Sequence, residues 1–152
     1  MEVIRDFVDL LELFEKHDVR YLIIGGLAFI YHAKPRATKD MDIFVDPSPD
    51  NIGRANEALT EFGSPWLIEP GDREQIVQIG VAPDRVDLLL KLDGIPDFDS
   101  AWAERVRDRY GSTEVNWLSL DDLIRSKEAI DHPRHREDVR TLRKLKERRS
   151  RE

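Results

Sequence analysis

Two aspartates stand one residue apart in "DMDIFV", Asp40 and Asp42, and a third, Asp87, interrupts the apolar run "RVDLLLKL". Residues two apart on a strand point to the same side, so Asp40 and Asp42 are expected to leave one face together. Like charges held that close repel, and a divalent cation between them relieves the repulsion directly. Asp87 poses a different problem. A carboxylate amid Val86, Leu88, Leu89 and Leu90 is costly to bury as an ion unless something positive compensates it. One solution is an edge-strand ion pair with Arg85 or Lys91. The other arises if this strand lies beside "DMDIFV": three carboxylates then converge as hard oxygen ligands suited to one or two Mg2+ or Mn2+ ions.

Three further features could serve an anion close to such metals. Gly25 and Gly26 follow the apolar run "YLII" and precede the short helical pattern "LAFIYHA". Without a Cβ on either residue the backbone can approach a ligand closely, and the following helix points its free amides at the turn. A tight strand-to-helix turn is the simpler alternative. No Lys-Ser/Thr follows the glycines, as a P-loop requires, and no Gly-x-Gly-x-x-Gly is present. Arg36 and Thr38 sit just ahead of the aspartates and could reach phosphate, or the arginine could be solvated. Lys127 falls seven residues after Leu120, on the inward stripe of a helix that Ser119 and Asp122 start in capping-box fashion. An inward lysine calls for an anion, a triphosphate or Asp138, unless it snorkels to solvent. His132 and His135 in "HPRH" lack the third ligand and rigid spacing of a zinc site.

The elements that must position these residues follow from periodicity. Val3, Phe7, Leu10, Leu11 and Phe14 predict a helix over about 3–16, followed by a buried strand at "VRYLIIGG". "DMDIFVD" reads as a second buried strand, and Asp50 is placed to cap the helix "NIGRANEALTEFG". "EQIVQIGV" and "RVDLLLKL" form a hairpin around "APD", "DFDSAWAERV" a helical turn, and "RDRYGSTEVNWLS" a second hairpin turning at Gly111. Two helices finish the chain, Leu120 to about Asp131 and about Arg136 to Arg148. The sum is one α/β domain over residues 1–152, a small mixed sheet with packed helices and a C-terminal helical pair.

Composition bounds the function. With 152 residues, 40% hydrophobic and 36% charged, the chain reads as a soluble globular protein without an apolar run near the roughly 20 residues of a membrane helix. Acidic residues break the apolar positions of Met1 to Leu13, so it is not read as a signal peptide. No cysteine is present, which excludes disulfides, thiol catalysis and thiolate metal sites and suits the cytoplasm. From Arg134 to Glu152 nine Lys/Arg face four Asp/Glu, so the tail carries +5 and the remainder −12 of the net −7. That tail could touch nucleic acid or be a solvated helix whose basic end suits the macrodipole.

Gly25-Gly26, then Arg36-x-Thr38-x-Asp40-x-Asp42, then an isolated Asp87 on a later apolar strand resemble the nucleotidyltransferase superfamily that includes DNA polymerase β and the minimal bacterial nucleotidyltransferases. The closer likeness is to AbiEii-type toxin components. Their C-terminal helical pair is similar to "WLSLDDLIRSKEAIDHPRHREDVRTLRKL", in which a Leu-Ile-x-x-Lys helix precedes a basic turn and an Asp-bearing helix. The resemblance implies a nucleotidyltransferase-like fold. It implies that Gly25 and Gly26 cradle nucleotide phosphates, that Asp40 and Asp42 hold magnesium, and that Asp87 completes a second metal site and helps deprotonate the acceptor. The implied reaction moves a nucleoside monophosphate from a nucleoside triphosphate (NTP) to a hydroxyl of RNA such as tRNA, of protein or of a small molecule. A toxin or antitoxin partner is implied, and no membrane. Two alternatives stand beside the enzyme: a non-catalytic relative acting as antitoxin or partner-binding module, and a nucleic-acid-binding module using the basic tail.

Overall fold

A computed structural model describes residues 1–38, 40–81 and 84–152. Among the described residues six strands and six helices follow in this order: α1 (Arg5–Lys16), β1 (Tyr21–Ile24), α2 (Gly25–His32), β2 (Asp40–Val45), α3 (Pro49–Phe62), β3 (Ile76–Ile79), β4 (Arg85–Leu89), α4 (Phe98–Ala103), β5 (Val106–Tyr110), β6 (Thr113–Trp117), α5 (Leu120–Glu128) and α6 (Pro133–Ser150). The strands form one mixed sheet in the order β3-β4-β2-β1-β6-β5. β1 and β2 are antiparallel, β2 and β4 parallel, and the two hairpins β3-β4 and β5-β6 flank the centre.

Every residue of β1 is buried, so the central strand is covered on both faces and needs no alternation in its sequence. At the β3 edge the alternation returns: Val77 and Ile79 are buried while Ile76 and Gln78 face out. α1 turns Phe7, Leu10, Leu11 and Phe14 inward, the stripe its 3.6-residue period predicts. No helix among the described residues is long and apolar enough to cross a membrane.

Local differences from the periodicity are instructive. Gly25 and Gly26 are the first two residues of α2, which starts directly after β1, where a turn ahead of the helix was expected. α3 begins at Pro49 with Ser48 flanking it and no side-chain cap, so Asp50 sits inside the first turn, where its charge suits the helix dipole. α6 begins at Pro133, three residues before the expected start, since proline is favoured in a first turn and His132 Nδ1 accepts from the Arg134 amide at 3.1 Å. Gly111 turns the second hairpin with φ +63°. Of the expected "APD" turn, Ala82 and Pro83 lie outside the described residues.

Candidate active site

β2 and β4 run side by side and parallel, and their register decides the site. Asp42 stands opposite Asp87, and Asp40 opposite Arg85. Paired residues of neighbouring strands share a face, so one patch of sheet carries Asp40, Asp42, Arg85 and Asp87. Arg85 bridges two of the carboxylates: its Nη2 donates to Asp40 Oδ2 at 2.8 Å and to Asp87 Oδ2 at 3.2 Å. Its Nε stands 3.1 Å from Asp87 Oδ1. That last pair is close but misaligned, and both buried atoms lack a hydrogen-bond partner among the described residues.

The electrostatics record the crowding. Burial, then the charges of Asp87 and Asp40, push the Asp42 carboxyl up to about 6. Burial also raises Asp87, against the opposing pull of Arg85. Asp87 is only 9% exposed.

Gly25 is required by Asp42. Its φ is +65°, and a Cβ on it would lie 2.6 Å from Asp42 Oδ2. Gly26 is held from the other side: its Cβ would stand 3.0 Å from Thr38 Oγ1 and 3.8 Å from Arg36 Nη2. The first turn of α2 therefore abuts both the Asp42 carboxylate and the Arg36–Thr38 segment. It carries no acidic residue and no side-chain cap.

A second ionic group lies behind the first. Lys127 Nζ donates to Asp138 Oδ2 at 2.9 Å and Arg36 Nη1 to Asp138 Oδ1 at 2.7 Å, so one carboxylate on α6 holds a cation from α5 and another from the segment between α2 and β2. Lys127 and Asp138 are each 5% exposed. The Arg36 guanidinium also stacks 4.2 Å from the centre of the Phe29 ring. Burial lowers the Lys127 ammonium against the upward pull of Asp138. Burial alone would raise Asp138, but the bonds from Lys127 and Arg36 outweigh it and hold the carboxyl below its ordinary range. Asp138, one of the two anions that the helical position of Lys127 calls for, is in place. A cavity of about 200 Å³ opens between the two groups, with Gly25, Asp42, Asp87, Lys127 and His135 on its wall.

Of the eight residues singled out in the sequence, Gly25, Asp42, Asp87 and Lys127 line this cavity. Asp40 joins them through Arg85, and Arg36 through Asp138. Thr38 bonds the Asp40 carbonyl at 3.3 Å. Two roles escaped sequence reasoning. Arg85 was visible as a neighbour for Asp87, since two residues apart is one face, but its bond to Asp40 appears only with the strand register. The double role of Asp138 depends on Arg36, 102 positions away.

No three His, Asp or Glu side chains among the described residues stand as a ready ligand group. The Arg85 guanidinium lies between Asp40 and Asp87. The donor chemistry nonetheless fits a hard divalent cation: three carboxylates share one face, and Asp87 Oδ1 has lone pairs no aligned donor uses.

No protein-family profile matches the chain, and no curated protein sequence does. Solved structures do. The lincosamide antibiotic adenylyltransferase LnuA, solved with lincomycin bound, is 15% identical with a TM-score of 0.59, over 95% of this chain and 99% of that one. ANT(2")-Ia in complex with adenylyl-2"-tobramycin is 16% identical with a TM-score of 0.61, over 90% of this chain and 84% of that one. A candidate nucleotidyltransferase from Thermotoga maritima is 16% identical with a TM-score of 0.60, over 95% and 92%. At such identities the likeness is one of architecture, and on that ground the six-stranded mixed sheet with its C-terminal helical pair is a nucleotidyltransferase fold.

Proposed function

We propose that the protein transfers a nucleoside monophosphate from an NTP to an acceptor hydroxyl in a reaction dependent on magnesium or manganese. The observation that carries this reading is the register of β2 on β4, which sets Asp42 against Asp87 beside Asp40 at the mouth of a cavity. Asp40, Asp42 and Asp87 would hold the divalent cation, which when bound neutralises phosphate charge and lowers the barrier to attack at phosphorus. The amides of the first turn of α2, at Gly25 and Gly26, would receive phosphate oxygens, and Lys127 and Arg36 would supply positive charge nearby. Asp87, its carboxyl raised by burial, accepts the acceptor's proton more readily than an exposed aspartate would. The acceptor oxygen forms its bond to the α-phosphorus as the bond to the bridging α–β oxygen breaks, and pyrophosphate leaves with that electron pair. Most of the acceleration comes from positioning and charge.

The acceptor belongs to RNA, protein or a small molecule, and the likeness of the C-terminal helices to AbiEii-type proteins brings a toxin or antitoxin partner into the same proposal. One observation favours the non-catalytic alternative: Arg85 already neutralises part of the carboxylate patch. The nucleic-acid module is disfavoured by the pairing of tail charges within the fold, Arg143 with Glu128 at 2.7 Å and Lys146 with Asp121 at 2.8 Å.

The test is incubation with each labelled NTP, magnesium or manganese, and a panel of tRNA, total protein and small hydroxylated compounds. Label appearing in one acceptor class with release of pyrophosphate is the expected result. Tight triphosphate binding with no transfer to any of them would move the protein to the non-catalytic alternative.

A further inference from the structure

Arg85 is a cation built into a site whose other three members are acids. It alternates with Asp87 on β4, so both side chains leave the same face, and the register sets it opposite Asp40. Its Nη2 reaches Asp40 Oδ2 at 2.8 Å and Asp87 Oδ2 at 3.2 Å, while its Nε lies 3.1 Å from Asp87 Oδ1. Both oxygens of Asp87 are therefore turned toward one guanidinium. A cation ligated by Asp40 Oδ2 and Asp87 Oδ2 would share oxygens that this guanidinium already bonds.

Resting on the nucleotidyl-transfer reading, we infer that Arg85 is a resident counter-ion that competes with the divalent cation for Asp40 and Asp87 and must withdraw before the three carboxylates can ligate together. The charge arithmetic supports exchange over coexistence. Three carboxylates and one guanidinium leave the patch two charges negative, enough to draw a divalent cation in. Retaining the guanidinium at hydrogen-bond distance would then set two cations against each other across the same oxygens. The Arg85 side chain is 34% exposed, so it has a solvent route out that Lys127 lacks. Asp42 lines the cavity beside Asp87, and its carboxylate, which Arg85 does not bond, is the one left to meet an arriving cation first. Guanidinium withdrawal thus couples metal arrival to completion of the site, and the metal-free protein is spared the full repulsion of three bare acids.

The experiment is calorimetric titration with Mn2+, with the bound ion followed by electron paramagnetic resonance, on wild type, Arg85→Gln, Arg85→Lys and Asp42→Asn. Arg85→Gln is expected to bind Mn2+ about tenfold more tightly, the effect of removing one partly solvated competing charge. Its melting temperature without metal should fall below wild type and recover when Mn2+ is added. Arg85→Lys should lie between, because an ammonium cannot fork across Asp40 and Asp87. A measurement on wild type stands apart from variant folding: in nitrogen-labelled protein the Arg85 Nε–Hε resonance, assigned by its loss in Arg85→Lys, should move when Mg2+ is added. Equal or weaker Mn2+ binding by folded Arg85→Gln, or an Arg85 resonance indifferent to saturating Mg2+, would overturn the inference while leaving the metal site in place. Absence of Mn2+ binding by wild type and Arg85→Gln alike would overturn the metal reading, and this inference with it.

Discussion

Two ionic groups face one cavity, and they differ in sign and in depth. The patch on β2 and β4 holds three acids and one base and is partly open. The clamp behind it holds two bases on one acid and is nearly sealed, with Lys127 and Asp138 buried and Arg36 stacked on Phe29. Each group is left with charge that its own residues do not cancel, negative at Asp42 and positive at Lys127 and Arg36. On the proposed reading, a metal-bound triphosphate would satisfy both at once, the cation answering the first and the phosphates the second. The difference in burial assigns the labour: the sealed group is fixed by folding, whereas the open one can exchange partners.

The largest effect should come from breaking the open group at its centre. Asp87→Asn keeps size and hydrogen-bonding reach but removes the charge proposed to ligate the metal and to accept the proton. Transfer should fall by about 10²–10³-fold or more, with nucleotide still bound and the fold intact, as steady-state kinetics beside a melting curve would report. A folded Asp87→Asn protein at wild-type activity would end the three-carboxylate mechanism.

Next comes the sealed group. Asp138→Ala strands Lys127 and Arg36 without their shared anion, and removing one partner of a buried pair costs about 3–5 kcal/mol. Denaturant unfolding should show that loss, while Arg85→Gln, on the open side, should cost about 1 kcal/mol or less. Equal costs would erase the distinction between the two groups.

The glycines sharpen the contrast further. Gly25→Ala puts a Cβ 2.6 Å from Asp42 Oδ2 at φ +65°, so it should weaken Mn2+ binding and lower stability by about 1 kcal/mol. Gly26→Val, directed at Thr38 and Arg36, should instead weaken triphosphate binding and spare the metal response. Calorimetry with each ligand separates the two.

The smallest effect belongs to a buried group outside both. The Nε2–H of His32 donates to the Leu118 carbonyl at 2.7 Å, and burial holds its pKa below the ordinary 6.5. The folded ring stays neutral where the unfolded ring would charge. His32 therefore contributes its full stability above about pH 6.5 and loses it as pH falls toward the folded value. His32→Gln should flatten that part of the stability profile, and an unaltered slope would place the titration elsewhere.

Much of this arrangement is written in short-range pattern. Asp40 and Asp42 share a face because strands alternate, and the apolar run around Asp87 marks a strand that had to find a buried neighbour. Lys127 points inward because it falls on the stripe begun by Leu120. What local pattern withheld was pairing across distance. That β4 lies parallel to β2, setting Arg85 against Asp40, is a property of sheet order and not of either strand. Asp138 receives Arg36 only once α6 has packed on α5. Even the start of α2 turned on geometry: Gly-Gly reads as a loop until the position of Asp42 shows that a helix must begin without a Cβ there. The magnesium requirement, the acceptor and any toxin or antitoxin partner rest on chemistry and resemblance together, and the transfer assay addresses all but the last.

The seam between β1 and β6 carries a consequence for how the protein is made. These parallel strands meet through Ile23 and Trp117, and the Leu118 amide donates to the Ile23 carbonyl at 3.0 Å, which joins chain segments more than ninety residues apart. Strands β1 to β4, with Asp40, Asp42, Asp87 and Arg85, lie within residues 21–89 and can pair while the ribosome is still extending the chain. The β5-β6 hairpin and the helices bearing Lys127 and Asp138 emerge later, and docking them requires closing a long loop, the slow step for topologies rich in distant contacts. Synthesis thus delivers an acidic half-sheet first, with Arg85 among its acids, and adds the helices that carry Lys127 and Asp138 only when the chain is nearly finished.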